Sequence, residues 1–335
     1  MRMTPPVLAA LKARTGFDSP EEYFDFEIRE VAFPPTRRPN DYRHYFADVA
    51  GADGLEISEW GVGRLPGSLY HFRKITSPMR HFTRLADFEA YPFPDVTAEY
   101  RLAGVGETIQ RWRGLGYAVR GRLPEANGTL WESAWPLRGM ENFLVDMVER
   151  KEFAHWLLDR LLAIHVYNAE RLVRSGIDIL QLSEDLGTQE SLIMSPALFR
   201  EFVKPRLAEL IARARAANPA VLIFLHSDGA IEPLIPDFIE IGVDILNPVQ
   251  PECMDPARIK SRFGDRLAFW GTVGTQTTFP FGRPADIRAV VKERMDTVGK
   301  GGGFLIAPTH RIMPEVPWEN IESFVTAARE IGVYR

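Results

Sequence analysis

Five short apolar runs that alternate with helical patterns constrain this chain more than any other feature. They are "IDILQLS" (177–183), "AVLIFLH" (220–226), "VDILNPV" (243–249), "RLAFWGTV" (266–273) and "GGFLIAPT" (302–309). The segments between them carry apolar residues at i, i+3 and i+4, and "ALFREFVKPRLAELIARARAAN" is preceded by Ser195-Pro196, a cap followed by a proline at the first helical position. Strand and helix alternating through short connections predict right-handed βαβ units and a parallel sheet. The runs are continuously apolar, as strands buried on both faces must be. An α/β fold of the (β/α)8 TIM-barrel type is therefore expected. A doubly wound open sheet is the alternative, weakened because no glycine-rich phosphate turn follows the first clear strand.

The regular pattern begins near residue 116, where "YAVRGRL" reads as a strand and "PLRGMENFLVDMVER" and "KEFAHWLLDRLLAIHVYNAERLVRSG" read as helices. Residues 116–335 are expected to form the main part of a single barrel domain. Residues 1–115 are irregular and rich in Pro, Arg and aromatics, as in "VAFPPTRRPNDYRHYFADV". They are expected to form an elaboration of loops and short helices packed on that barrel.

The formal net charge of −5 and pI near 5.9 provide no basic footprint for nucleic acid or an anionic membrane, which leaves a small-molecule substrate. A single cysteine, Cys253, excludes an internal disulfide and any multi-cysteine zinc or iron–sulfur site. The opening "MRMTPPVLAALKARTG" lacks a signal peptide's apolar core, and no apolar run approaches the ~20 residues of a membrane span. The expected location is the cytoplasm, and a homodimer is the default assembly.

In either α/β architecture, function lies just past the C-terminal ends of the strands. Those ends are polar: Glu184, Asp185 and Gln189 after the first run, then His226 and Asp228, Asn247 and Gln250, Thr272 and Gln276, and His310 and Arg311. Singly, each has an ordinary reading: Asp228 as a helix cap, a loop histidine as incidental, Asn247-Pro248 as a turn. Together, two of only seven histidines fall at matching strand ends beside carboxylates. Two imidazoles and one or two carboxylates make a ligand set for zinc or another divalent transition metal, with a position left for water or substrate. The same residues without metal would serve as general acid and base.

The succession "GIDILQLSEDLGTQESLIMSPALFREFVKPRLAELI", "FLHSDGAIEPLIPDFIEIGVDILNPVQ", "RFGDRLAFWGTV" and "GGGFLIAPTHRIMPEVPWENIESFV" resembles the uroporphyrinogen decarboxylase superfamily, in particular its corrinoid-linked methyltransferase-like branch. The resemblance covers roughly residues 115–332 and implies a TIM barrel with its site at the C-terminal rim. The arginine-rich "RQAGRY"-like motif of true uroporphyrinogen decarboxylases is absent. The methyltransferase branch binds zinc through an H-x-C element and a later cysteine; here His226 matches the first ligand, while Asp228 and His310 stand where the cysteines would be. Losing two thiolates makes such a site harder and less negative, which admits activation of water or an oxygen substituent beside thiol alkylation.

The expected function is thus a zinc-dependent methyltransferase or demethylase, with a corrinoid protein, a thiol or a folate as methyl acceptor or carrier. Its metal ligands would be His226, Asp228, His310 and Glu184, with Glu184, Asp185, Arg138 and Gln250 as catalytic candidates. The alternatives are a decarboxylase, other lyase or hydrolase acting on a small carboxylated compound, with Arg138 and Arg311 pairing carboxylates, and a non-catalytic binding protein. Cys253 is a candidate stand-in for a missing thiolate, and Trp135 beside Arg138 a candidate pocket aromatic.

Overall fold

The structure, a computed structural model, describes residues 1–49, 54–67 and 73–334. Contacts divide the chain into two units, Glu30–Glu184 with Ser195–Val221, and Met1–Arg29 with Asp185–Met194 and Leu222–Arg335. The irregular first 115 residues are shared between them.

In chain order the strands are β1 (Ile28–Val31), β2 (Glu56–Ile57), β3 (Gly63–Pro66), β4 (Arg73–Thr76), β5 (Ala118–Arg122), β6 (Ile179–Ser183), β7 (Leu222–His226), β8 (Ile245–Asn247), β9 (Ala268–Val273) and β10 (Phe304–Pro308). In the first unit β5 pairs with β6 in parallel, Gly121 opposite Leu180. A three-stranded antiparallel sheet, β2-β3-β4, is formed within the stretch expected to hold only loops and short helices. Its strands are two to four residues long, too short to show a period in the sequence. The helix Lys151–Arg174 supplies much of this unit's core through Leu157, Leu158, Leu161 and Leu172, all fully buried. Burying each leucine contributes roughly 1.5–3 kcal/mol.

The helix expected after Ser195 starts as its sequence implies: Ser195 Oγ accepts from the Leu198 amide at 3.2 Å, and Pro196 occupies the first turn. Pro205 then has no N–H to offer four residues back. A π turn over Phe199–Val203, closed by the Lys204 amide on the Phe199 carbonyl, carries the chain into the helix Lys204–Ala217.

In the second unit β7, β8, β9 and β10 pair in parallel in sequence order, each followed by a helix: Ile235–Glu240, Pro256–Phe263, Pro284–Thr297 and Trp318–Ile331. The chain is an α/β protein of the TIM-barrel class, as the sequence predicts. Met3, Val7, Leu11 and Phe24 pack into one cluster with Val273, Phe279, Ile287, Ile312, Ile321 and Phe324, so the first residues belong to the core of the last helices. The main chain is stitched there as well: Ile312 donates to the Arg2 carbonyl at 2.8 Å, and the Thr4 amide and hydroxyl return to the Ile312 carbonyl at 3.1 and 3.0 Å. Among the described residues no helix is long and apolar enough to cross a membrane.

Candidate metal centre

The second unit brings Asp185, His226 and Asp228 together, each offering one ligand atom within 4.8 Å of the others. His226 is the last residue of β7, and its Nε2 stands 3.6 Å from Asp185 Oδ1 and 3.7 Å from Asp228 Oδ2. From the end of β10, His310 Nε2 stands 3.9 Å from Asp228 Oδ2.

Two loops are laced to hold these groups. The Leu186 amide donates to Ser227 Oγ at 3.1 Å, the Asp228 amide to Asp185 Oδ1 at 3.0 Å, and the Ala230 amide to the Thr188 carbonyl at 2.8 Å. Ser227 is fully buried by this role, which sends the residues on either side of it toward the cluster. Gln250 Oε1 accepts from the Gly229 amide at 3.2 Å, so this catalytic candidate braces the loop that carries Asp228. His310 is fixed from both sides, by the Thr309 amide on the Val273 carbonyl at 2.9 Å and by the Ile312 bridge to the N-terminus. On the other face of His226, Nδ1 lies 2.6 Å from Asn247 Oδ1, and Asn247 Nδ2 donates to the Trp270 carbonyl at 2.5 Å.

The electrostatics show crowded negative charge. Burial pushes the Asp228 carboxyl above its ordinary range, and Asp185 and Glu252 add to that against the pull of His226 and His310. For His226 burial acts downward, but Asp228, Asp185 and the Asn247 hydrogen bond outweigh it and raise the imidazole above its usual value. For His310 burial prevails, with help from His226 and Arg311 and against Asp228, and holds it below. A cation among these groups would relieve the carboxylate repulsion. Two carboxylates with one or two imidazoles suit zinc or another divalent transition metal.

The other predicted residues are engaged elsewhere. Glu184 is fully buried, its oxygens accepting from the Leu130 amide at 2.5 Å and the Glu132 amide at 3.2 Å at the start of the helix Trp131–Arg138. Burial, with Glu132 and Glu125 nearby, drives its carboxyl well above the usual range against those two bonds. Arg138 is buried against Asp146 at 2.6 Å and the Met79 carbonyl at 2.6 Å. Trp135 donates to Glu132 Oε1 at 2.7 Å. Cys253 Sγ donates to Gln189 Oε1 at 3.4 Å, and burial, Glu252 and Asp228 raise its thiol above the ordinary value, which favours the protonated form. Arg311 is exposed.

A parallel strand-and-helix scaffold with an acid–imidazole cluster past its strand ends defines the class of barrel proteins that keep their chemistry at the C-terminal rim. The sequence model of the uroporphyrinogen decarboxylase (URO-D) family matches residues 72–331, and the chain belongs to that family. It is 26% identical over 204 residues to the methylcobamide:CoM methyltransferase MtaA of Methanosarcina barkeri, a match spanning 58% of this chain and 57% of the methyltransferase. It is 25% identical over 321 residues to the uroporphyrinogen decarboxylase of Pseudomonas fluorescens (strain Pf0-1), covering 90% of this chain and 84% of that enzyme. Among solved structures, a methyltransferase from Methanosarcina mazei superposes with a TM-score of 0.65 at 19% identity, over 99% of this chain and 87% of its own.

Proposed function

We propose that this chain is a metal-dependent methyltransferase or demethylase in which Asp185, His226 and Asp228 hold zinc or another divalent transition metal. The single observation that carries the reading is the cluster of three ligand atoms within 4.8 Å, two carboxylates and an imidazole, past the end of β7. The likeness to a methylcobamide:CoM methyltransferase supports methyl transfer, with a corrinoid protein as methyl carrier and a small molecule as its partner in the exchange.

When bound, such an ion supplies Lewis acidity, lowering the pKa of a coordinated thiol or water and polarising a substrate oxygen. The chain's own residues do the rest. Asp185 and Asp228 provide the negative charge that retains a cation. His310, held toward its neutral form and half open to solvent, receives or returns a proton at Nε2. Gln250 and Ser227 keep the Asp228 loop in place through Gly229 and Leu186.

A second reading is a lyase or decarboxylase on a small carboxylated compound, favoured by the match to uroporphyrinogen decarboxylases across 90% of this chain. Here the cluster orients the substrate and His310 delivers the proton that replaces the lost carboxyl group.

The test is the metal content of untagged protein purified without chelators, beside His226→Ala and Asp228→Ala, followed by an assay of methyl transfer between methylcobalamin and a panel of thiols. Near-stoichiometric zinc that disappears in both variants, with transfer in the wild type, is the expected result. Folded wild-type protein that takes up no divalent metal even on reconstitution overturns the reading. Metal without methyl transfer, but with carbon dioxide release from carboxylated substrates, moves the case to the lyase.

A further inference from the structure

His226 and Asn247 are partners in the β7–β8 register, at the last residue of each strand. The chain of hydrogen bonds through them has only one consistent direction. The Trp270 carbonyl oxygen can only accept, so the Asn247 atom 2.5 Å from it is the amide nitrogen. The carboxamide is thereby oriented, and its oxygen is the atom 2.6 Å from His226 Nδ1. An oxygen of that kind only accepts, so Nδ1 carries a proton. In the neutral ring the lone pair is then on Nε2, the atom that faces Asp185 at 3.6 Å and Asp228 at 3.7 Å.

We infer that Asn247 is a positioning residue: it fixes His226 in the Nδ1–H tautomer and aims the Nε2 lone pair at the space shared with the two carboxylates. The assignment rests on the metal reading of the site, whose ligand nitrogen it names. Its chemistry suits that place. A histidine that binds a metal through one nitrogen is held by a hydrogen bond from the other, and loss of such a partner typically lowers metal affinity ten- to a hundredfold. Asn247 provides that hold from a site 9% exposed, and it does so without adding another negative charge beside Asp185, Asp228 and Glu252.

The experiment uses the full chain with 15N-labelled histidine and cobalt(II) as the metal probe, comparing wild type, Asn247→Leu and Asn247→Asp. In metal-free wild-type protein at alkaline pH, the nitrogen spectrum of His226, assigned through His226→Gln, is expected to show the Nδ1–H tautomer. Cobalt affinity is expected to fall ten- to a hundredfold in Asn247→Leu. Asn247→Asp keeps an oxygen opposite Nδ1 but loses the donation to Trp270, and is expected to bind cobalt as tightly as wild type or more so. A brace acting only through Trp270 predicts the opposite, with both variants weakened alike; that result overturns the inference, as does an Nε2–H tautomer in the wild type. If Asn247→Leu does not fold, the tautomer and Asn247→Asp decide the matter. If wild-type protein binds no cobalt, the metal reading falls, and the tautomer alone upholds or overturns the placement of Asn247.

Discussion

The backbones of Gly187 and Gly229 meet so closely that a Cβ on Gly229 would stand 2.5 Å from the Gly187 carbonyl carbon and 2.5 Å from the Thr188 oxygen. Gly229 also has φ of +87°, a conformation that favours glycine. The two residues lie between Asp185 and Asp228 on the one side and the Thr188–Ala230 hydrogen bond on the other. Spreading these loops separates the two carboxylates. Gly229→Ala is expected to lower stability by about 1–3 kcal/mol and to cut cobalt or zinc uptake in protein that still shows native circular dichroism. Wild-type metal affinity in this variant would sink the argument that loop contact sets the cluster.

Glu184 and Asp185 are adjacent, yet their surroundings differ. The Glu184 oxygens are taken by the Leu130 and Glu132 amides, where a carboxyl group satisfies donors at a helix start. Glu184→Gln keeps an acceptor for Leu130 and is expected to retain full metal content, with a stability change near 1 kcal/mol. Glu184→Ala strands both amides and is expected to cost about 1–3 kcal/mol by denaturant unfolding. Asp185→Asn, by contrast, should lose metal while folding normally. Equal metal loss in folded Glu184→Gln and Asp185→Asn would return Glu184 to the ligand set.

Arg138 illustrates a buried charge whose partner is internal. Its guanidinium lies 2.6 Å from Asp146, which is fully buried and also ion-paired with Arg150 at 2.9 Å. Removing Arg138 leaves Asp146 with Arg150 as its remaining cation, so the loss falls below that of a buried charge left alone, at about 1–3 kcal/mol. Arg138→Met is therefore expected to drop the unfolding free energy by that order, measured by urea titration, and the double variant Arg138→Met/Asp146→Leu to recover part of it. A variant that keeps wild-type stability but no longer binds carboxylated substrates would instead restore Arg138 to the substrate site.

The placing of polar groups past the strands is visible in the sequence, and the run 220–226 ends on His226 as β7 does. The run 243–249 overshoots β8, which stops at Asn247, so the register that sets the two side by side and the direction of their hydrogen bond are read only from the structure. The different surroundings of Glu184 and Asp185 were not legible: β6 ends at Ser183 and is buried on both faces, Ile179 and Gln181 as well as Leu180 and Leu182, so its alternation does not separate the two residues that follow it. What no local pattern could show is contact between distant segments. The bracing of His310 by Arg2 and Thr4 joins positions about 308 residues apart, and the start of the chain carries no mark of it. The helix at Pro205 was legible in type but not in detail, since a π turn depends on which carbonyl the next free amide can reach.

His165 sets a pH limit on the fold. The ring is fully buried on the helix Lys151–Arg174, stacked on Trp60 at 6.3 Å, and burial lowers its pKa from 6.5 to about 4, the Thr129 backbone offsetting only part of that. In the folded protein the imidazole therefore stays neutral where the unfolded chain already binds a proton. With the folded value depressed, stability is fully present above pH 6.5 and is lost as the pH falls from there toward about 4, levelling off below. The expected loss from this one group is about 3 kcal/mol. His165→Leu removes a group that must stay uncharged and is expected to flatten the slope of unfolding free energy between those two pH values, with little cost at neutral pH because the ring gives up few hydrogen bonds. Urea unfolding of both proteins in metal-free buffer across that range decides it: an equally steep acid loss in the variant would assign the acid sensitivity to other groups.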